Sequence, residues 1–547
     1  MGTKKVLIGG AWPYANGSLH LGHIAALLPG DILARYFRLT GAEVLYVSGS
    51  DCHGTPISLR AEAEGVSPEE IANKYHKEFI TNFEKLGFSY DVYTQTTAQY
   101  HKKHVQQFVS QLYNSGWLMH RTEKVCYCST CHRFLPDRYV IGQCYSCGKP
   151  TRGDQCDNCN TVIEMEKLID IKCNICNTQP EFKETEHLFF KLSNLQDKIS
   201  ELLDKNSKSW RQNAVSLTRR YLNEGLINRA ITRDIDWGIE IPIEGFEQKR
   251  VYVWFEAVLG YITAVLKWHE EHGCAEDAYK FFGDDLKAYY VHGKDNIPFH
   301  TVILPGLLMA LGIKALPTKI VSSEYLTIEG RKLSTSRNWA VWVPDYLENY
   351  DPDPLRFFLI MNGPENRDSD FSWREFVEKN NGELLGAYGN IVNRTLSMVI
   401  KNFGHAVPEP AQYQPDDTEI LDKAKELFDT VGKCIEECDF KEGLKKIFDV
   451  VRDANKYIDT QAPWSLTDSD KQRLATILNV CVELILNISS LLYPYIPHIA
   501  AQALSFLNEQ PAWNYRRIKP NKINQPVVLV KKLDKKVIET EVQKLGK

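Results

Sequence analysis

Two histidines that flank a glycine are the residues of this chain whose types and spacing most directly imply chemistry. His20 and His23 stand three residues apart, with Gly22 between them, directly after a strand-like segment and a turn. At that spacing the two side chains share one face of a predicted helix and can contact one polyphosphate together. A helix N-terminus offers free N–H groups and a positive dipole end, and Gly22 lets a nucleoside approach the backbone. The motif predicts a nucleotide site, although two surface histidines on a helix would give the same pattern.

A basic loop far along the chain provides a second set of candidate phosphate contacts. Its polar and charged members are Lys332, Ser334, Thr335, Ser336 and Arg337. A mobile cationic loop can close over a triphosphate and stabilise the charge that develops in a transition state. Alone, this stretch could be any solvated loop. In combination with the histidine motif it predicts ATP chemistry.

Cysteine spacing predicts metal centres. Of the 14 cysteines, eight form four CxxC pairs within one short stretch: Cys128/Cys131, Cys144/Cys147, Cys156/Cys159 and Cys173/Cys176. In a chain without an export signal this pattern favours metal over disulfides. Eight thiolates fit two tetrahedral zinc sites, which would be structural because they leave no open coordination position. Iron–sulfur ligation is an alternative, and the spacing leaves three ways to combine the pairs.

The hydrophobic pattern indicates which elements must position these groups. Segment 5–9 is an apolar β-type run, a helical pattern ends at Gly41, and Val44–Val47 is a second strand-like run. Strand, helix, strand is the opening of a parallel α/β sheet. The later part of the chain has an almost wholly helical period, as in a helix bundle. The predicted boundaries are 1–115 and 233–320 for the two halves of the sheet domain, 116–232 for the cysteine-rich insertion, 321–375 for the basic-loop region, 376–505 for the bundle and 506–547 for a C-terminal tail.

Composition restricts the class of protein without defining it. The chain has 547 residues, of which 43% are hydrophobic and 25% charged, as is ordinary for a globular protein of several domains. Apolar runs such as Ile24–Leu28 are too short to cross a bilayer. Pro13, Asn16 and Gly17 interrupt the basic N-terminal segment, so no signal peptide is expected and the location should be cytoplasmic. The net charge of −5 neither supports nor excludes a nucleic-acid partner.

Six ordered segments give the chain a family resemblance. They are AWPYANGSLHLGH, GSDCHGTPI, FLPDRYV, YVWFEAVLGY, GKDNIPFH and YIDTQAPW. Together with motifs similar to the HIGH and KMSKS signatures, they resemble the methionyl-tRNA synthetase family of class I aminoacyl-tRNA synthetases, from about residue 4 to 510. The resemblance implies a Rossmann-type parallel-sheet catalytic domain with a zinc-knuckle connective insertion, followed by an all-α helix-bundle anticodon-binding domain. It also implies a ligase that activates L-methionine with ATP and Mg²⁺ and transfers it to tRNA(Met).

The same resemblance implies an amino-acid pocket. Aromatic rings suit a thioether, at about 0.3–1.5 kcal/mol for each sulfur contact. The implied methionine-binding residues are Trp12, Tyr14, Asp51, Trp254, Ala257, Val258, Tyr261, Ile297 and His300. Asp51 would pair with the substrate ammonium. Ordinary core packing is the alternative for each aromatic residue, and a turn or cap position is the alternative for Asp51.

For ATP, the resemblance implies contacts from both motifs and from the end of a later strand. The implied nucleotide-binding residues are Gly22, His20, His23, Gly293, Asp295, Lys332, Ser334, Thr335 and Ser336, and the catalytic ones are His20, His23, Lys332 and Arg337. One departure from the family pattern is Thr335, which stands where the family usually has the second lysine of the loop. Arg337 could supply the missing charge, because its planar fork suits phosphate.

Two further implications concern the insertion and the bundle. The family pairs the inner cysteines, Cys144, Cys147, Cys156 and Cys159, around one zinc, and the outer ones around another. Asn390, Arg394 and Trp464 align with residues that read the tRNA anticodon, and stacking with hydrogen bonding is how single-stranded bases are read. Trp464 could instead be a buried helix-end residue. Since the chain stops before any appended C-terminal module, a monomer is expected.

Three rival functions are weighed against this one. Another class I synthetase, for isoleucine, valine, leucine or cysteine, is the nearest, but the branched-chain enzymes need an editing domain, and the cysteine-filled insertion leaves no room for it. A zinc-dependent RNA-binding protein that has lost catalysis would explain Thr335, but His20, His23 and Asp51 are all present. A smaller HxGH nucleotidyltransferase would not need the long helical region.

Overall fold

A five-stranded parallel sheet is the central element of the computed structural model, which describes residues 4–153, 156, 158–159, 161 and 163–547 without the side chains of 137, 336 and 468. In spatial order its strands are Lys319–Ser323, Lys287–Gly293, Lys5–Gly10, Glu43–Ser50 and Val92–Gln95. All four neighbouring pairs are parallel, which confirms the predicted α/β sheet. The strand order reverses at Lys5–Gly10, and in such open sheets ligands bind beyond the carboxyl ends of the strands at this switch point.

Alternate side chains of the first strand enter two separate cores. Val6 and Ile8 lie in a core that continues into the C-terminal helices, whereas Leu7 lies in a core on the opposite face. This follows from the period of two along a strand. The helices around the sheet are Leu21–Leu39, Thr55–Glu64, Pro68–Lys85, Gln99–Asn114, Val253–Glu271, Ala278–Phe281 and Leu304–Ala310.

The insertion is built on a long antiparallel hairpin, Leu118–Cys128 with Glu181–Phe190. Arg133–Phe134 and Arg229–Ala230 extend this hairpin into a four-stranded sheet. Its tip carries a small sheet of Pro150–Arg152, Val140–Gln143 and Ile169–Cys173. The helices Gln196–Asn206 and Gln212–Glu224 and the strand pair Thr232–Arg233 with Arg250–Val251 return the chain to the central sheet.

The rest of the chain is a small sheet followed by helices, as the helical period predicts. The small sheet contains Arg331–Lys332, Leu326–Ile328 and Ser369–Phe371. Its neighbouring helices are Val343–Asn349, Pro352–Met361 and Trp373–Lys379. The bundle contains Asn390–Phe403, Pro415–Glu437, Phe440–Gln461, Lys471–Leu492 and Pro497–Phe506. The tail runs back from the bundle, and its helix Lys536–Val542 packs against Trp373–Lys379.

Within the described part of the chain, Lys471–Leu492 is the one helix that is long and apolar enough to cross a membrane. Its most apolar window is completely buried inside the protein. Glu483, near the middle of this helix, is 1% exposed and accepts a hydrogen bond of 3.1 Å from the Ile518 backbone N–H. Such burial is what the core helix of a bundle requires.

A buried ion pair ties the first helix to the C-terminal half. The Arg356 guanidinium donates to the Asp31 carboxylate at 2.7 Å and to the Tyr495 carbonyl at 2.9 Å. Arg35 donates to the same carboxylate at 2.8 Å. Burial alone would raise the pKa of Asp31, but Arg35 and Arg356 lower it to about 2. Because an unpaired charge here would be costly, the pair fixes the helix that follows His20 against the bundle.

Candidate functional site

A cavity of about 920 Å³ opens beyond the carboxyl ends of Lys5–Gly10 and Lys287–Gly293. It lies where the switch point of the sheet predicts a ligand. The residues expected at a nucleotide or amino-acid site that line it are Trp12, Tyr14, His20, His23, Asp51, Trp254, Ala257, Val258, Tyr261, His300 and Thr335. The fold thus brings residues from five distant segments to one wall.

Several expected site residues do not line the cavity. They are Gly22, Gly293, Asp295, Ile297, Lys332, Ser334 and Arg337, and the Ser336 side chain is outside the described part. Ile297 is buried at 1% exposure, and Asp295 accepts a hydrogen bond from the Tyr325 hydroxyl. The cavity wall therefore contains fewer of the expected nucleotide contacts than of the expected methionine contacts.

The two histidines are stacked at the start of the helix Leu21–Leu39. Their ring centroids are 3.8 Å apart, and the His20 backbone N–H donates to His23 Nδ1 at 3.2 Å. Burial lowers the pKa of His23 to about 4, and burial with the neighbouring His23 lowers that of His20 well below its usual value. Both rings are therefore neutral near pH 7. Since Nδ1 of His23 accepts, its proton is on Nε2, where it can be donated to a ligand.

The basic loop is anchored beside this helix start. Ser334 and Trp339 exchange two backbone hydrogen bonds of 3.0 and 2.9 Å, which close the loop. The chain that follows pairs with the start of the helix, since the Leu21 N–H donates to the Val341 carbonyl at 3.1 Å. Lys332 and Arg337 are exposed. This arrangement places two cations on a loop whose base is fixed next to His20.

A hydrogen-bonded chain fixes the polar end of the amino-acid pocket. The Tyr261 hydroxyl lies 2.8 Å from His300 Nε2, and His300 Nδ1 lies 2.9 Å from the Asn296 carbonyl oxygen. Burial lowers the pKa of His300 to about 4, so the ring is neutral. A carbonyl only accepts, so Nδ1 carries the proton and Nε2 accepts from Tyr261. The Trp254 indole N–H donates to the Tyr14 hydroxyl, which fixes the opposite wall.

Two glycines determine the position of Trp12. A Cβ at Gly49 or at Gly260 would lie 2.6 Å from the Trp12 ring, closer than real contacts allow. The indole is therefore held between strand Glu43–Ser50 and helix Val253–Glu271. Sequence reasoning identified Trp12 but not these glycines, which lie inside the quoted motifs.

Asp51 is a buried carboxyl group in the cavity wall. It is 2% exposed, and its Oδ1 has no hydrogen-bond partner among the described residues. Burial first, and then the nearby Glu256, raise its pKa well above the usual value. Its backbone N–H donates to the Pro13 carbonyl at 2.9 Å, and its carbonyl accepts from the Ala15 N–H at 2.8 Å. A carboxyl group held in this way is suited to an incoming cation.

Sequence reasoning missed other residues of the cavity wall. Among them are Asn296, Phe299, Trp342, Arg138, Arg152 and Asn174. The ring centroids of Trp342 and His20 are 6.2 Å apart. Arg138 belongs to the quoted segment FLPDRYV, which is the signal that could have identified it. Arg138, Arg152 and Asn174 come from the insertion, so the cysteine-rich region contributes to the cavity wall.

The eight cysteines form two clusters in the nested arrangement. Cys128, Cys131, Cys173 and Cys176 make one, and Cys144, Cys147, Cys156 and Cys159 make the other, with the sulfur atoms of each within 4.8 Å of one another. Cross-pair S···S distances of 3.4–3.9 Å exclude disulfides, which require about 2.05 Å. Four thiolates around a tetrahedral zinc lie about 3.8 Å apart. The clusters can therefore hold two zinc ions.

The bundle presents an aromatic surface with a cation over it. Trp464 is 56% exposed, so the alternative of a buried helix-end residue is wrong. The Arg394 guanidinium lies 5.0 Å from the centre of the Trp464 ring and donates to Asp459 at 2.9 Å. Asn390 is exposed at the start of the same helix as Arg394. An exposed indole with an arginine over it can stack on a base, and the exposed amide on the helix of that arginine can donate a hydrogen bond.

A parallel sheet of this order, with the HxGH motif at its switch point and a basic loop beside it, defines a class I aminoacyl-tRNA synthetase. The model for "tRNA synthetases class I (M)" matches residues 6–396, and that for "Anticodon-binding domain of tRNA ligase" matches 417–540. The chain belongs to the methionyl-tRNA synthetase family of this class.

Named relatives match this chain over almost its whole length. Methionine–tRNA ligase of Bacillus cereus (strain 03BB102) is 50% identical over 546 residues, with 99% of each chain covered. Methionine–tRNA ligase 1 of Alkaliphilus oremlandii is 49% identical over 545 residues, covering 99% of this chain and 100% of the relative. The structure of Mycobacterium tuberculosis methionyl-tRNA synthetase in complex with methionyl-adenylate aligns with a TM-score of 0.81 and 25% identity, covering 96% of this chain and 100% of that one.

The two four-cysteine clusters predict a zinc content per chain that metal analysis can measure. Purified protein should contain two zinc ions per chain, and Cys131→Ser or Cys147→Ser should each remove one. Cys126→Ser is the matched control, because Cys126 is buried in the same insertion but lies in neither cluster. Loss of both ions on a single substitution would contradict two independent sites.

Proposed function

We propose that the protein activates L-methionine with ATP to methionyl-adenylate and then transfers the methionyl group to tRNA(Met). The observation that carries the proposal is a single cavity with three kinds of group in its wall. These are a carboxyl group for an ammonium at Asp51, aromatic rings for a thioether, and neutral ring N–H donors at a helix start. Free methionine and the phosphates of ATP together require these groups.

In the first step the methionine carboxylate attacks the α-phosphorus of ATP, a new O–P bond forms and diphosphate leaves. Such transfers depend on positioning and charge stabilisation and need no covalent enzyme intermediate. Asp51 pairs with the ammonium, and the thioether lies against Trp12, Trp254, Tyr261 and His300. The remaining proposed contacts to methionine are Tyr14, Ala257, Val258 and Ile297.

His20 and His23 donate hydrogen bonds to the phosphates. A neutral imidazole N–H serves this role without requiring a proton from solution, and the helix N-terminus adds its dipole. Lys332 and Arg337 reach the diphosphate when the loop closes, and Arg337 takes over the charge that Thr335 cannot carry. Mg²⁺ would arrive with ATP and neutralise phosphate charge. Gly22, Gly293, Asp295, Ser334, Thr335 and Ser336 complete the proposed nucleotide contacts.

In the second step the 2′-hydroxyl of the terminal tRNA ribose attacks the methionyl carbonyl, and AMP leaves. The anticodon is proposed to contact Asn390, Arg394 and Trp464 on the bundle. The two four-cysteine clusters would hold zinc, which would keep the insertion in shape against the cavity and, with four protein ligands and no open position, would take no part in the bond changes. The domain boundaries, the Mg²⁺ requirement, the monomeric state and the cytoplasmic location remain predictions.

Amino-acid-dependent exchange of diphosphate into ATP tests the first step. With zinc-replete protein and each of the twenty amino acids in turn, methionine alone should support exchange. Exchange with a different amino acid would keep the class I reaction but contradict the pocket assignment. Exchange with none of them would contradict the proposed function.

His20→Ala should slow this exchange about 10²–10³-fold, because one donor to the developing phosphate charge is lost. The effect should fall on kcat more than on the KM for methionine, since the histidine lies at the phosphate end. His272→Ala is the control, because His272 is exposed and outside the cavity wall. An unchanged exchange rate in His20→Ala would contradict the assignment.

Trp464→Ala should raise the KM for tRNA in aminoacylation about 10–100-fold, the loss expected when one base no longer stacks on an aromatic ring. Exchange without tRNA should be unchanged. Tyr279→Ala, which removes an equally exposed aromatic ring from the sheet domain, serves as control. If both variants charge tRNA normally, the anticodon surface lies elsewhere.

A further inference from the structure

Residues 546–547 of the tail contact the basic loop, although the proposed function gives the tail no role. The Gly546 N–H donates to the Asn338 carbonyl at 2.9 Å, and Asn338 Nδ2 donates to the Lys547 carbonyl oxygen at 2.5 Å. Asn338 directly follows Arg337, one of the two cations of the loop. Two hydrogen bonds in opposite directions therefore connect the tail to the residue at which the loop ends.

The backbone conformation of Asn338 determines the direction of the loop. Its φ of +49° lies in the left-handed region, which asparagine adopts more readily than most residues. Asn338 ends the single helical turn Thr335–Arg337, and its N–H donates to the Thr335 carbonyl at 3.2 Å. A change at Asn338 would swing this turn, so the contacts that hold Asn338 also determine where the Arg337 side chain can reach.

The side chain of Asn338 also contacts the cavity wall. Its Oδ1 accepts a hydrogen bond of 2.7 Å from the Trp342 indole N–H. An indole only donates and a carbonyl only accepts, so the amide oxygen faces Trp342 and the amide NH₂ faces the tail. Trp342 lines the cavity beside His20. Asn338 therefore joins the tail, the basic loop and the wall next to the histidine motif.

The tail is itself anchored along its length. Leu545 is 9% exposed and belongs to the same core as the first helix. The Tyr350 hydroxyl donates to the Glu541 carboxylate at 2.8 Å. The Asn381 side chain exchanges hydrogen bonds of 2.8 and 2.9 Å with the Leu533 backbone. A segment held in this way can fix whatever its last residues contact.

Gly546 fits closely against the base of the loop. Its φ is +78°, and a Cβ there would lie 3.4 Å from the Trp339 ring and 3.9 Å from the Arg337 carbonyl oxygen. The Trp339 indole N–H donates to the Ile328 carbonyl at 2.9 Å, and its backbone closes the loop through Ser334. Burial of Leu545 alone would dock the tail, but it requires neither this fit nor the two hydrogen bonds to Asn338.

We propose that Asn338 is a positioning residue of the phosphate site, and that residues 546–547 clamp it so that Arg337 is held ready to contact ATP. Neither Asn338 nor the tail touches the substrate. The clamp reduces the number of positions that the loop samples, so less entropy is lost when the cation meets the phosphates. The inference rests on the proposed function, because Arg337 contacts phosphate only in the reaction proposed above.

Gly546→Val tests the clamp from the tail side, because a β-branched residue does not fit a φ of +78° and no loop residue is changed. The kcat of methionine-dependent exchange should fall about 10–100-fold, with the KM for methionine unchanged. Trypsin should cleave after Arg337 faster than in the wild type, since a released loop reaches the protease more easily. Gly312→Val is the matched control, because Gly312 has a φ of +75°, is exposed and lies outside the cavity wall.

Asn338→Gly tests the clamp from the loop side and serves if Gly546→Val does not fold. Glycine keeps the left-handed conformation and removes only the side-chain hydrogen bonds. Exchange should again slow about 10–100-fold, and the loss in the double variant should be smaller than the product of the two single losses. Asn508→Gly is the control, because Asn508 has a φ of +55° and its Nδ2 donates to the Lys522 carbonyl at 2.7 Å, beyond the last bundle helix.

Each other outcome is decisive. Wild-type exchange rates in both variants, or slower exchange without faster cleavage after Arg337, would overturn the inference. Losses that multiply in the double variant would overturn it too, because the tail and Asn338 would then act separately. A raised KM for methionine at unchanged kcat would assign the tail a structural role in the amino-acid pocket and overturn the inference. A wild type without methionine-dependent exchange would instead contradict the proposed function.

Discussion

The parallel pairing of Lys5–Gly10 with Lys287–Gly293 forms the switch point of the sheet, beyond which the cavity opens. These two strands are neighbours in space and far apart in sequence, and the whole cysteine-rich insertion is contained between them. Beyond the carboxyl end of Lys5–Gly10 the chain continues to Trp12 and the first helix. Beyond the carboxyl end of Lys287–Gly293 it continues to Asn296 and His300. Because a parallel ladder fixes the register residue by residue, a shift of one position would turn these side chains to the opposite face. The Arg356–Asp31 pair then holds the first helix in that position from the C-terminal side.

Buried polar atoms without a hydrogen-bond partner are the second constraint, and they link the fold to the chemistry. Among the described residues, Asp51 Oδ1, His20 Nδ1 and Trp12 Nε1 are buried polar atoms without hydrogen-bond partners, all in residues of the cavity wall. Each such atom costs about 1–3 kcal/mol of stability unless something pairs with it. A substrate with an ammonium and phosphate oxygens can pair with the first two. The polar groups of the site are thus in place before the substrate arrives.

Patterns within short segments made much of this structure predictable. The parallel sheet follows from strand, helix, strand at the N-terminus, and two four-cysteine clusters follow from four CxxC pairs, although their nested pairing needed the family resemblance. Features that depend on partners distant in sequence were not predictable. Nothing in the segments around His53 and Glu256 indicates that the two side chains form a hydrogen bond. The role of Gly49 and Gly260 is visible only in the structure, where the Trp12 ring lies between them. Trp464 required the structure to decide between a buried and an exposed position.

One cavity is proposed to hold both the amino acid and the phosphates, and a crystal structure with a non-hydrolysable methionyl-adenylate analogue would show whether it does. We expect the ammonium against Asp51, the sulfur against Tyr261 and His300, and the phosphate mimic within hydrogen-bonding distance of His20 and His23. An analogue seated elsewhere, or seated in the cavity with its ammonium away from Asp51, would contradict it.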